Sequence, residues 1–345
     1  MKILRHDDVQ AVLVGRELEV LNAVQSAYVL HGEGASELPF SSFLRPPGVP
    51  GSRIIALPAY LGGREPVIGI KWISSFPQNV ARGLQRASSV MVLNDLATGY
   101  PMALLEASQI SAWRTAASAA LASHFLQGER TVRTAGLIGC GTINQRVMAF
   151  LTLVHPEIRT VVLCDTLTEH AQAFAAKLRD WYPHLVVEVA DVDRVLARAE
   201  TVSIATTDST YWLDLGDHPD RPAGQVILHL SLRDLSTSSI LRSYNVVDDV
   251  DHVCREQTSL HKAEQELDHR AFIHATLGQL LSGRTPLARP ENATTVFSPF
   301  GLGVLDLAVA AEVLRAAIAE DRGLTVDGFD PGRHLAGPQT EVHRD

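Results

Sequence analysis

Gly139-Cys-Gly141 stands where the apolar run 134–138 breaks and a helix-compatible stretch begins with Thr142, Ile143 and Asn144. Glycines at such a strand-to-helix turn let the backbone approach a pyrophosphate, which then rests on the free N–H groups of the helix that follows. A second apolar run, 159–164, ends in Asp165, 26 positions beyond Gly139. A carboxylate there accepts hydrogen bonds from ribose hydroxyls and repels a 2′-phosphate. With no Arg or Lys in 166–170, the expected cofactor is NAD rather than NADP. Asn144 departs from the pattern, since a glycine or small residue commonly stands there for close helix–strand packing. The alternative is an ordinary β–α turn with Asp165 in solvent.

Four further charged residues invite a chemical role. Lys71 interrupts the apolar run 67–73, and its ammonium must reach water, an anion or an acid, because an unpaired buried charge is costly. The plainer alternative is an exposed position on a half-buried strand. Arg114 is the only Lys, Arg, Asp or Glu between Ala107 and Gly128. A guanidinium so isolated suits a two-pronged grip on a carboxylate, or else an internal salt bridge to an acid such as Asp95 or Glu106. Asp234 closes Ser231-Leu-Arg-Asp after a later apolar run, at the sheet edge where open α/β folds bind ligands. It is placed to exchange protons with a substrate amine or, alternatively, to cap the helix expected after it. Arg233 binds a substrate anion or pairs with its neighbours.

The elements that must position these residues fall into two regions. Apolar runs alternate with helical patterns from about 131 to 251, the rhythm of a parallel α/β sheet, with 201–207, 225–231 and 245–249 as its later strands. Ahead of them, runs 52–57 and 67–73 are punctuated by Pro and Gly, as in hairpins. An Ala/Ser-rich helix over 106–127 links the regions, and a final amphipathic helix near 302–319 returns to the first. The cofactor unit, 130–295, is thus expected as an insertion between 1–129 and 296–330, with 331–345 a flexible polar tail that has little to bury.

Composition narrows the function classes. At 345 residues and 46% hydrophobic, the chain has room for two sizeable cores. Cys140, Cys164 and Cys254 are odd in number and far apart, which excludes a disulfide framework, and His31, His124, His229 and His261 lack metal-like spacing. No metal is expected. A net charge of −9 and the lack of a basic stripe make nucleic acid an unsuitable partner. The charged N-terminus carries no signal-peptide core and no apolar run is long enough to span a bilayer, so a cytoplasmic protein without membrane association is expected.

Lys71, the block Ala112-Trp-Arg-Thr-Ala-Ala-Ser118, Gly139-Cys-Gly141 and Asp234 occur in an order and spacing that resemble the ornithine cyclodeaminase/μ-crystallin family over most of residues 1–320. The resemblance implies an α/β chain in which a Rossmann NAD-binding domain is inserted in a discontinuous α+β substrate and dimerisation domain, with a homodimer as the assembly. It also implies that Lys71 and Arg114 hold a substrate carboxylate and that Asp234 acts on the substrate amine or imine. Thr206, Thr207, Ser298 and Gly301 would flank the cofactor beside Gly139, Gly141, Thr142, Ile143, Asn144 and Asp165.

Within the family, Gly69-Ile-Lys-Trp-Ile-Ser-Ser-Phe-Pro-Gln-Asn79, Leu93-Asn-Asp-Leu-Ala-Thr-Gly-Tyr-Pro101 and Ser231-Leu-Arg-Asp-Leu235 are similar to the N-[(2S)-2-amino-2-carboxyethyl]-L-glutamate dehydrogenases. These release L-2,3-diaminopropionate, 2-oxoglutarate and NADH for siderophores and peptide antibiotics. Their substrate carries three carboxylates, and Arg45, Arg53, Lys71, Arg114 and Arg233 supply cations from separate segments. Cyclodeaminases bind ornithine's distal ammonium through a Glu shortly before the Pro of the early motif. Here Ile54-Ile-Ala-Leu-Pro58 offers no acid. Competing expectations are an ammonia-releasing cyclodeaminase, a cyclic ketimine or 2-oxo acid reductase, and ligand binding without turnover.

Overall fold

A computed structural model describes residues 1–208 and 210–329. The expected tail, 331–345, lies outside them.

Period-2 alternation builds the first sheet. Strands Arg53–Leu61, Val67–Ser75, Ala87–Asn94 and Pro101–Glu106 run antiparallel, each beside the next. Lys2–Leu4 then adds parallel to the last of them, and Leu324–Thr325 closes that edge. Ser36–Glu37 and Ser42–Leu44 pair with Arg53–Leu61 at the other edge. One face turns Leu57, Ala59, Leu61, Met91, Leu93, Ala103 and Leu105 inward to the core, and the other leaves Trp72, Val90 and Met102 exposed. Lys71 lies on the inward face, paired with Leu57 on one side and Met91 on the other. This excludes the exposed alternative.

The second sheet is parallel throughout, in the order Val186–Val189, Thr160–Cys164, Thr134–Ile138, Thr201–Ile204, Val226–His229, Thr295–Ser298, Tyr244–Val247, Ile273–Thr276. Helices cover both faces, which is why its central strands are apolar without alternation. The chain builds outward one way from Thr134–Ile138 and then the other way from Thr201–Ile204. The direction of winding reverses between those two strands, and such sheets bind ligands at the carboxyl ends of the strands at that point. Thr295–Ser298 is inside this sheet, so the expected boundary between 295 and 296 cuts a strand: the sheet continues three residues further before the chain returns to the first region.

Two helices connect the layers. Ser108–Gln127 is buried on nearly every face, as its Ala and Ser residues allow, and Trp113 meets Phe150 of helix Thr142–Val154 edge-on at 5.6 Å. Gly303–Ala319 packs across Arg53–Leu61 and Val67–Ser75. Among the described residues no helix is long and apolar enough to cross a membrane.

Candidate active site

The glycine turn is dictated by sterics. Gly139 has φ +88°, and a Cβ there would stand 2.4 Å from the carbonyl oxygen of Ala205 on the neighbouring strand end. Only glycine fits. Gly141 precedes the first turn of helix Thr142–Val154, and a Cβ on it would meet nothing within 4 Å, so the approach to the helix N-terminus is open. The first intrahelical bond, Gln145 N to Gly141 O, leaves the N–H groups of Thr142, Ile143 and Asn144 ahead of it for an anion. Asp165 accepts from Cys140 N at 2.7 Å and from Leu167 N at 2.9 Å, so its carboxylate is fixed beside the turn. This donor set fits a dinucleotide: open amides for a pyrophosphate and a carboxylate for ribose hydroxyls.

Asn144 has a different part from the one expected of it. It is fully buried, donates from Nδ2 to Ile138 O at 2.9 Å and Gly139 O at 2.7 Å, and accepts from Ser203 Oγ at 2.6 Å. With the side chain spent on bracing the turn, only its backbone N–H is left to face a ligand.

Asp234 is also fully buried. One carboxylate oxygen accepts from the Thr206 hydroxyl and from Trp212 Nε1 at 3.0 Å; the other accepts from the Ser231 hydroxyl and lies 3.2 Å from His229 Nε2. His229 Nδ1 lies 3.1 Å from Ser298 Oγ, which ties two expected cofactor neighbours, Thr206 and Ser298, into one network. Burial works to raise the Asp234 pKa, yet His229 and the two hydroxyls hold the carboxyl at about 2. A carboxylate so satisfied is a fixed negative charge rather than a ready proton acceptor. It does not cap the next helix either, because Ser236 does, accepting from Ser239 N. Thr207 continues the turn after Thr206.

Lys71 and Arg114 converge on an acid that the sequence analysis missed. Asp306, in the first turn of Gly303–Ala319, takes Lys71 Nζ on one oxygen at 2.6 Å and Arg114 Nε on the other at 3.0 Å. Arg114 therefore pairs with neither Asp95, which binds Thr98, nor Glu106, which accepts from Ser108 N. Ser111, one turn before Arg114, lies 3.3 Å from Lys71 Nζ and 3.5 Å from Arg114 Nη2. Burial, with repulsion from Arg114, pushes the Lys71 ammonium down to about 8 against the pull of Asp306. Burial opposes ionisation of Asp306 too, but Arg114 and Lys71 keep its pKa below the ordinary value. Two cations on one anion leave a surplus positive charge in a water-poor site, a charge that a substrate carboxylate neutralises.

Gly301 seats Arg114 rather than standing apart from it. At φ +96°, a Cβ there would come within 3.0 Å of both Nη1 and Nη2. Its own N–H and that of Phe300 donate to Asp248, a buried carboxylate that fixes the loop and whose pKa burial raises.

The other arginines gather elsewhere. Arg45 pairs with the Glu256 carboxylate, and Arg233 donates to the Glu256 carbonyl from Nε at 3.2 Å and Nη2 at 2.6 Å. The pKa of Arg53 is depressed by burial and by Arg233 and Arg86, with Glu256 opposing. The five candidate cations thus form two stations, one on Asp306 and one around Glu256. One signal for Asp306 was present in the sequence: it is the sole Lys, Arg, Asp or Glu between Glu291 and Glu312.

Comparison with known proteins agrees with this architecture. The model of the ornithine cyclodeaminase/mu-crystallin family matches residues 17–321. An N-((2S)-2-amino-2-carboxyethyl)-L-glutamate dehydrogenase of Staphylococcus aureus (strain NCTC 8325 / PS 47) is 27% identical over 339 residues, spanning 95% of this chain and 98% of the relative. The structure of Thermococcus litoralis Delta(1)-pyrroline-2-carboxylate reductase in complex with NADH and L-proline matches with a TM-score of 0.87 at 23% identity, covering 94% of this chain and 100% of that one. An archaeal alanine dehydrogenase dimer with bound NAD matches with a TM-score of 0.84 at 24% identity, covering 95% and 99%. The family model's match over residues 17–321 shows that this chain belongs to the ornithine cyclodeaminase/mu-crystallin family.

Proposed function

We propose that this NAD-dependent oxidoreductase of CH–NH bonds acts on N-[(2S)-2-amino-2-carboxyethyl]-L-glutamate, releasing L-2,3-diaminopropionate, 2-oxoglutarate and NADH. The observation that carries this reading is the pair of separate cation stations, each short of negative charge, which suit a substrate with three carboxylates. The 27% identity to a dehydrogenase of that name supports it. Against ornithine stands the inward face near Lys71, where positions 55, 57 and 59 are Ile, Leu and Ala and no acid awaits a distal ammonium.

In this reading Arg114, its Nε held by Asp306, presents its Nη edge to the carboxylate beside the reacting carbon. That grip presents the α-hydrogen, and position supplies most of the acceleration at this step. NAD, held at the N–H groups of Thr142, Ile143 and Asn144 and by Asp165, would supply the hydride acceptor for the α-hydrogen of the neutral amine, leaving a C=N bond whose nitrogen keeps its proton. Lys71, with two of its three N–H directions used by Asp306 and Ser111, turns the third to the substrate. Its lowered pKa lets it take a proton from attacking water and return it to the nitrogen as the C–N bond breaks. Asp234 keeps a fixed charge beside the developing imine. Arg45, Arg53 and Arg233 meet the remaining carboxylates.

The test is to mix the protein with NAD and N-[(2S)-2-amino-2-carboxyethyl]-L-glutamate and to quantify NADH, 2-oxoglutarate and diaminopropionate. Equal yields of the three are expected. No NADH, with ammonia released from ornithine in parallel, would contradict the reading in favour of cyclodeamination.

The assembly in this reading is a homodimer joined through the exposed face of the first sheet, where Trp72 pairs with Val90 and Met102 lies on the neighbouring strand. Trp72→Glu should shift the light-scattering mass from two chains to one; an unchanged mass would contradict that interface.

A further inference from the structure

On the inward face of the first sheet, Ser75 lies four residues along the strand from Lys71, about 13 Å away, and pairs directly with Arg53. Arg86, after the turn that follows this strand, donates from Nη1 to Ser75 Oγ at 2.9 Å. Its guanidinium is therefore anchored at the Arg53 end of the face. Arg233 is held close by through the Glu256 carbonyl. Glu256 brings one carboxylate to this group, already engaged by Arg45. Ser52 Oγ and Arg53 Nε are buried without a hydrogen-bond partner among the described residues, in a loop that lines a cavity of about 350 Å³ reaching from Arg45 to Arg53. Guanidinium groups crowded at one place, with unsatisfied donors beside a cavity, gain from an anion that takes up those donors.

We infer that Arg53, Arg86 and Arg233 form a second anion station for the side-chain carboxylate of the substrate's glutamyl half, the one that 2-oxoglutarate keeps, and that Arg86 sets the preference for dicarboxylate over monocarboxylate 2-oxo acids. This rests on the proposed reaction for which carbon reacts, whereas the preference itself is a property of binding. A diacid engages both stations. A monoacid of similar chain length reaches only the one on Asp306 and leaves the arginines unpaired.

The experiment is calorimetric titration of the NADH-loaded enzyme with 2-oxoglutarate and, separately, with 2-oxobutyrate. The wild type is expected to bind the diacid about thirtyfold more tightly, the scale of a charged hydrogen-bond pair. Arg86→Gln should lower 2-oxoglutarate affinity by roughly tenfold or more and leave 2-oxobutyrate within about twofold, with Arg86→Lys recovering part of the loss. Arg53→Gln supplies an independent second variant should the first fail to fold. Equal losses for both ligands, or a preference that survives in both Gln variants, would overturn the station. Because no turnover is read, the two proposals fail separately: a diacid preference without NADH formation from the tricarboxylate would sink the reaction alone, and NADH formation without a diacid preference would sink the station alone.

Discussion

Asp234 and Asp306 are both completely buried, one at the carboxyl edge of the parallel sheet and the other in the first turn of the final helix, yet their surroundings differ in kind. Asp234 is met by two hydroxyls, an indole N–H and an imidazole. Asp306 is met by an ammonium and a guanidinium. The first site spends its donors on stabilising one charge and leaves nothing unpaired. The second gathers more positive than negative charge and so remains incomplete without an anion. Burial alone therefore does not mark a reactive acid; what decides is whether the partners leave a charge over.

The largest effect that would test this contrast is expected from Asp306→Ala. It strands two buried cations, so stability should fall by about 3–5 kcal/mol in denaturant titration, with turnover abolished. A near-wild-type variant would mean that the triad is not buried as described. Gly139→Ala comes next: the Cβ strikes Ala205 O and the φ disfavours any side chain, so NADH affinity measured by fluorescence should fall by one to two orders of magnitude. Unaltered affinity would detach the turn from cofactor binding. Asp234→Asn keeps the shape and removes the charge; a stability loss of about 1–3 kcal/mol is expected, with slower turnover and little change in NADH binding. Equal loss of turnover and NADH binding would make its role structural only. The smallest effect is in stability against pH. Lys71 has a folded pKa of about 8 against an ordinary 10.5, so between those values the unfolded chain holds a proton that the folded chain has released. Stability from this group therefore rises with pH across that window, and Lys71→Met should flatten the rise.

The two halves of the site were unequally legible in the sequence. Gly139, Gly141 and Asp165 lie within one strand–turn–helix–strand unit, where local sterics and spacing specify the geometry, and the structure brings them together. Ser111 could be placed near Arg114 by helical spacing alone. Asp306 could not be placed, because its partners are 235 and 192 residues away and only the packing of the final helix on the strand of Lys71 joins them. Its isolation in an apolar helix was a signal of the same type that singled out Arg114. Asn144 was legible only as a departure from the small residue usual at this turn; that its side chain satisfies the Ile138 and Gly139 carbonyls follows from the turn's geometry, which residue type does not reveal. Arg45, Arg53 and Arg233 were identifiable as cations, but their separation from Lys71 and Arg114 follows from strand register and from Glu256, neither of which residue type reveals.

The most direct test of the contrast between the two acids is the pH dependence of kcat/KM for N-[(2S)-2-amino-2-carboxyethyl]-L-glutamate in wild type and in Asp234→Asn. If Lys71 carries the proton and Asp234 is a fixed charge, both proteins show a limb rising through about pH 8, the variant at a lower plateau. A limb that disappears or moves in Asp234→Asn would contradict the account and return the proton to Asp234.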